Sequence, residues 1–155
     1  MRYIIYGAGG IGSAMGRHLW RTDHQSILIG RPGHVNAINR SGLTLNTPQD
    51  TYHLKIAAVT SPDEIEWSPD DVVVLCMKSQ DTEEALRALI ASGPDPTRLP
   101  VFCAQNSITN EPAAARYFDR VYAVMVGFTG IYLEDGTVYN PVEGNAGYIE
   151  IGTYP

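Results

Sequence analysis

Long apolar runs are missing from this chain of 155 residues: none approaches the roughly 20 that a membrane-spanning helix needs. The N-terminal MRYIIYG is briefly apolar but has neither a secretory h-region nor a cleavage site, so no signal peptide is expected. Cysteine is scarce. Cys76 and Cys103 each fall late in an apolar run and read as buried free thiols of a cytoplasmic protein, against a disulfide or a metal pair. Basic residues are outnumbered, 11 against 17 acidic, and the net charge of −6 argues against nucleic acid or an anionic membrane as partner. An anionic ligand would need a local positive site. His18, His24, His34 and His53 show no metal-ligand spacing, so no metal site is expected. Ser13 and Ser79 lack a base at any recognisable spacing, which leaves no covalent nucleophile. The acidic groups at 63–66 and 81–84 read as first-turn helix charges, and Trp20 and Trp67 as packing anchors. There is no internal repeat and no low-complexity segment.

What is present is alternation within a length that suits one domain. RYIIY at 2–6 predicts a buried strand, and Ile11, Ala14, Met15, His18 and Leu19 share one face of a helix over 10–21. A strand at 26–30 and a short helix at 34–40 follow. LTLN and YHLKIAAV, at 43–46 and 52–59, predict a hairpin. SPDE at 61–64 has the spacing of a capping box, and so do Asp81 and Glu84 ahead of a helix that buries Ala85, Leu86, Leu89 and Ile90. Between them DVVVLCM at 71–77 is the clearest buried strand, with another at 100–104 and a short helix at 111–118. From Val121 onward the segments are strand-like, separated by Gly and Asp-Gly turns. The expected fold class is α/β: a Rossmann-type, mostly parallel sheet with an antiparallel extension at its C-terminal end.

Residues 4–16, IIYGAGGIGSAMG, place Gly7, Gly9 and Gly12 at G-x-G-x-x-G spacing between a predicted strand and a predicted helix. A tight turn alone would use glycine here. In this setting the pattern points further, to dinucleotide binding: Gly7 for the turn, Gly9 for approach of backbone to a pyrophosphate, Gly12 for packing of helix on strand. The helix N-terminus would supply free N–H groups for the phosphates. The second strand ends in Gly30-Arg31, where an NAD site typically carries an acidic residue. Arg31 is either a solvated loop residue or a bidentate partner for the 2′-phosphate of NADP. Lys78 and Asn106 also follow predicted strands, where this fold keeps its chemistry. A lysine there can hold a phosphate, a ribose hydroxyl or a carboxylate, or polarise a carbonyl; Asn106 offers a donor and an acceptor. Taken singly, Lys78 is equally a solvated helix entry, and Asn106 a turn or cap residue.

Taken together, GAGGIG, Arg31, VVVLCMKSQDTEEAL, AQNSITNE and a Gly-punctuated strand region ending in GYIEIG resemble the N-terminal half of ketopantoate reductases (2-dehydropantoate 2-reductases) over essentially the whole chain. The lysine after the strand and the QN-x-x-x-NE segment are the most specific pieces. The resemblance implies NADPH-dependent reduction of a small 2-keto acid, 2-dehydropantoate, on the way to pantothenate and coenzyme A. It implies that Gly7, Ala8, Gly9, Gly10, Ile11, Gly12 and Arg31 bind NADP. Lys78 and Asn106 would sit at the junction of nicotinamide ribose and substrate as the catalytic pair, and backbone near Tyr132 would pass the cofactor. Residues 1–155 are then expected to be the dinucleotide-binding domain, without the family's helical second domain, which brings the proton-donating lysine and most substrate contacts. A homodimer is compatible with this expectation. Ser107 and Thr109 depart from the glycines usual in the family, which puts the exact keto acid in doubt. A different class stays open beside the reductase: a non-catalytic module that kept the nucleotide site for sensing or scaffolding.

Overall fold

The chain begins with a strand that alternates its side chains between two cores, and the sheet grows outward from it. In the computed structural model, which describes residues 1–141 and 147–155, β1 is Arg2–Tyr6, and α1 (Gly10–Arg21) leads to β2 (Gln25–Ile29) and α2 (Pro32–Ser41). Three short strands follow: β3 (Leu43–Asn46), β4 (Thr51–Leu54) and β5 (Ala57–Val59). Then come β6 (Asp71–Leu75), α3 (Thr82–Ala91), β7 (Pro100–Cys103) and α4 (Asn110–Ala114). The chain closes with β8 (Arg120–Val126), β9 (Ile131–Glu134), β10 (Thr137–Tyr139) and β11 (Ile149–Tyr154).

Seven of these strands form the main sheet, in the order β5-β2-β1-β6-β7-β8-β11. Every neighbouring pair from β5 to β8 is parallel, and only β11 runs antiparallel, against β8. Numbered along the chain, the parallel strands lie third, second, first, fourth, fifth, sixth. This is the doubly wound order, whose direction reverses between β1 and β6. Period-2 geometry sends Ile5 and Val74 to a core shared with Met15, Val35 and Ile38 from α1 and α2. Ile4 and Val73 go to the opposite core with Leu86 and Leu89 of α3 and Ala114 of α4. All five residues of β6 are buried, as a strand covered by helices on both faces requires. No helix among the described residues is long and apolar enough to cross a membrane.

Several expectations need correction. The segment 52–59 is not one hairpin arm. Residues 51–54 pair antiparallel with β3, whereas 57–59 join the main sheet beside β2. Leu54, Ile56 and Ala58 keep their alternating burial across the break, so hydrophobic period could not reveal the change of partner. Nor is the whole C-terminal part an extension of the main sheet. β9 and β10 belong to a second, four-stranded sheet, in the order β4-β3-β10-β9. The Ser61–Glu64 capping box forms around a 3₁₀ turn at Pro62–Glu64. Asp81 makes no capping hydrogen bond at α3, because residues Ser79–Asp81 form a 3₁₀ turn ahead of it. The helix expected over 111–118 is confined to Asn110–Ala114. Trp67 does anchor, donating from its indole to Ser92 Oγ at 3.1 Å, but Trp20 is 43% exposed.

Candidate nucleotide site

The C-terminal ends of β2, β1, β6 and β7 are laced into one edge. Gly7 and Ala8 both donate to the Ile29 carbonyl at 2.9 Å, Cys76 N–H to Tyr6 O at 2.7 Å, and Ala104 N–H to Leu75 O at 2.9 Å. At this edge the glycines have distinct environments. Gly7 holds φ +109°, and a Cβ there would fall 2.4 Å from Met77 N, so only glycine lets the β6 loop cross. A Cβ at Gly12 would meet Gly7 O at 2.2 Å and Ile5 Cγ2 at 3.0 Å, the contact of helix with strand. Gly10 faces Gly130, whose carbonyl a Cβ would overlap. Gly9 differs from all three. A Cβ there would meet nothing within 4 Å among the described residues, so the backbone at the start of α1 borders open space. Gly9 is the N-cap of α1, and no side chain caps that end. The N–H groups of Gly10, Ile11 and Gly12 are in the first turn, where an α-helix leaves donors without partners. Ala8 is buried at the back of the loop and accepts from Ser13 Oγ at 3.2 Å. Open backbone, free donors and a helix N-terminus together fit a pyrophosphate.

Lys78 and Asn106 occupy matched places. Leu75 and Cys103 are partners at the ends of β6 and β7. Lys78 and Asn106 each lie three residues beyond, so two adjacent parallel strands deliver a cation and an amide to the same edge. Both are exposed. The two ion pairs among the described residues are Arg2–Asp71 and Arg87–Glu83, so neither Lys78 nor Arg31 is neutralised by one. Arg31 is exposed at the end of β2 and is the N-cap residue of α2. Tyr132, on β9, is 44% exposed, and its hydroxyl donates to Asp135 Oδ1. That bond pushes the Tyr132 pKa up, with Asp135's charge acting the same way and Arg31's opposing it. Cys76 adjoins the edge, but burial pushes its thiol up to about 12, leaving no thiolate to attack a substrate.

A buried network, which sequence reasoning did not find, ties the two loops together. Gln105 Nε2 donates to Thr82 Oγ1 at 2.7 Å, and Thr82 Oγ1 donates to Asn110 Oδ1 at 2.8 Å. Asn110 Nδ2 donates to Ser79 Oγ at 3.1 Å and to the Ser107 carbonyl at 3.2 Å. The residues beside Lys78 and Asn106 are thereby fixed to α3 and α4. The QN-x-x-x-NE segment contains Gln105 and Asn110, but their partners on the β6 side are 23 to 31 residues away. Also missed was Gly130, whose close approach to Gly10 brings β9 against the glycine loop. A Thr-Gly-Ile run marks it only as a turn.

Known proteins share this chain's family pattern and fold. The family model described as Ketopantoate reductase PanE/ApbA matches residues 3–155. A 2-dehydropantoate 2-reductase of Pyrococcus horikoshii is 38% identical over 114 residues, 72% of this chain but 35% of that protein. Among solved structures, a PanE/ApbA family ketopantoate reductase from Ralstonia eutropha JMP134 superposes with TM-score 0.86 at 30% identity, over 97% of this chain and 49% of its own. A D-mandelate dehydrogenase in ternary structure with NADH and anilino(oxo)acetate gives 0.84 at 26% identity, over 97% and 48%. The chain thus spans about half the length of the solved relatives and less of the curated one. By its family match over nearly every residue, the chain belongs to the ketopantoate reductase PanE/ApbA family.

Proposed function

We propose that residues 1–155 are the NADPH-binding domain of a 2-dehydropantoate 2-reductase-type oxidoreductase acting on a small 2-keto acid in the cytoplasm. The observation that carries this reading is the single edge on which the open Gly9 backbone, Lys78 and Asn106 meet. Nucleotide binding alone needs no cation and amide at the reacting end; hydride transfer does. When bound, the reduced nicotinamide supplies the hydride that reaches the carbonyl carbon. The rest falls to the chain. N–H groups of 9–12 hold the pyrophosphate, and Arg31 pairs with the 2′-phosphate. Lys78 holds the keto acid's oxygens by charge, and Asn106 orients ribose and substrate with its donor and acceptor. Backbone at 130–132 closes the site beside Gly10.

The same reading predicts what residues 1–155 do when assayed alone. Productive transfer needs the carbonyl held near the nicotinamide with an acid in reach. Among the described residues of this edge, Lys78 is the one cation beside the proposed nicotinamide end. The further length of the relatives would complete the cleft. Residues 1–155 should therefore bind NADPH, seen by quenching or enhancement of its fluorescence. They should show negligible 2-dehydropantoate-dependent loss of absorbance at 340 nm (the reduced nicotinamide band). Rapid keto-acid-dependent oxidation would show a site complete within this chain. No nucleotide binding at all would sink the assignment.

A further inference from the structure

The turn between β9 and β10 reaches across to the first turn of α2. A Cβ on Gly33 would fall 2.3 Å from Asp135 Oδ2 and 3.0 Å from its Cγ, so the carboxylate lies against helix backbone two residues past Arg31. The turn is strapped in place. Gly136 N–H donates to His34 Nδ1 at 2.9 Å, and Thr44 N–H donates to the Gly136 carbonyl at 2.8 Å. A Cβ on Gly136, at φ +82°, would fall 2.9 Å from the Ala37 Cβ. Tyr132 donates its hydroxyl to the Asp135 carboxylate from the other side. Asp135 nevertheless forms no ion pair with Arg31. A fixed negative charge and an unpaired cation thus stand together at the end of β2, where the fold distinguishes a 2′-hydroxyl from a 2′-phosphate.

We infer that Asp135 is a specificity-determining residue of the nucleotide site, one that weakens the preference for NADPH over NADH that Arg31 by itself would create. The inference rests on the proposed placement of the nucleotide's 2′ group at Arg31. A carboxylate accepts a hydrogen bond from a ribose 2′-hydroxyl but can only repel a 2′-phosphate. The partial positive end of α2, which would favour that phosphate, already faces a carboxylate. His34, Thr44 and Ala37 hold the backbone of the turn at Gly136, and the Tyr132 hydroxyl holds the carboxylate itself, so the charge swings aside only by giving up the Tyr132 bond.

The test is a titration of this chain with NADPH and with NADH, followed by nicotinamide fluorescence, at low and at high salt. Asp135→Asn should tighten NADPH roughly three- to tenfold and leave NADH within about twofold, so the ratio rises. The gain should shrink at 0.5 M salt (about), as screening predicts. Asp135→Ser removes the same charge and serves if asparagine disturbs the turn. Glu134→Gln, an equal change on exposed β9, should move the ratio less. An unchanged ratio in both Asp135 variants, with Arg31→Ala still lowering it, would overturn this inference and leave the site assignment standing. An equal gain from Glu134→Gln would overturn it too, by assigning the effect to net charge. Failure of the parent chain to bind either nucleotide would overturn the site assignment, and this inference with it.

Discussion

At the N-terminal ends of β1 and β6, Arg2 donates from Nε and from its second terminal nitrogen to both oxygens of Asp71, at 2.8 and 2.7 Å. The Asp71 side chain is completely buried and also accepts from Ser68 N–H at 2.7 Å. At the C-terminal ends of the same two strands the arrangement is reversed. Lys78 is exposed and has no ion-pair partner among the described residues, and the open backbone of Gly9 lies at the same edge of the sheet. One end of the sheet pairs its charges and buries the carboxylate; the other leaves them uncompensated. Substitutions of the charged residues at the first end should therefore lower stability and spare binding, and substitutions of those at the second should weaken binding and spare stability.

The largest effect comes from two glycines three residues apart, at the N-cap and in the first turn of α1. Gly9→Val puts a Cβ where no described residue comes within 4 Å, at φ −80°, ψ −160°, a conformation that valine tolerates. Melting temperature should hold within a few degrees while nucleotide affinity drops beyond detection, roughly a hundredfold or more. Gly12→Val drives a side chain toward Gly7 O, 2.2 Å from where its Cβ would stand, and should unfold the domain. If Gly9→Val bound nucleotide normally, the open backbone would not be where the phosphates lie.

Next in size is the far end. Arg2→Met strands a fully buried carboxylate, which should cost about 3 kcal/mol in urea unfolding. Nucleotide affinity of the folded variant should stay within about twofold. A parallel loss of affinity would mean that the two ends are coupled through the strands. At the ligand end Arg31→Ala should weaken NADPH by about 1.5–3 kcal/mol and NADH hardly at all, with stability changed by less than about 0.5 kcal/mol. Equal losses for the two nucleotides, or none for either, on Arg31→Ala would remove Arg31 from the 2′ position.

How far the sequence foretold these two ends depends on where the determining contacts run. Residues 71–75 were legible as a strand because burial on both faces leaves an unbroken apolar run after Asp71. The placement of Lys78 and Asn106 followed, since a residue just past such a strand can lie nowhere but at its carboxyl edge. Bounds of α1 came from the glycines and the 3.6 period. The β3–β4 hairpin was legible, but its joining to β10 in a second sheet was not: Thr137 pairs with Thr44 in parallel, and no local pattern names a partner so far away. For the same reason Asp135 read as half of an Asp-Gly turn. Only the fold brings it to Gly33. Contacts within a dozen residues left a signature in the sequence, and contacts between distant loops did not.

The smallest effect probes the ligand end where it departs from its own pattern, at a buried polar group. His34 is 2% exposed, packs against the Tyr132 ring at 5.0 Å, and accepts the Gly136 N–H at Nδ1, so its proton sits on Nε2. Burial lowers its pKa below 6.5, against the opposing pulls of the Asp135 charge and the Ala8 carbonyl. Protonation would put the ring's second hydrogen on Nδ1, turning that acceptor into a donor and breaking the bond from Gly136. In the unfolded chain the imidazole titrates near its ordinary value, so below about 6.5 the unfolded state binds more protons than the folded one. The stability contributed by neutral His34 is thus complete above that pH and lost as pH falls through the lowered folded value. The loss is bounded by a single proton, about 1.4 kcal/mol per pH unit. His18, also lowered, chiefly by burial, adds a slope of the same sign, so the parent curve alone cannot assign the effect. His34→Asn can: its side-chain oxygen still accepts from Gly136 but does not titrate. Urea unfolding between pH 7 and pH 5 should show a shallower loss in this variant than in the parent. Parallel curves would mean that His34 does not hold the turn by its neutral form, and the strap on Asp135 would be weaker than its contacts imply.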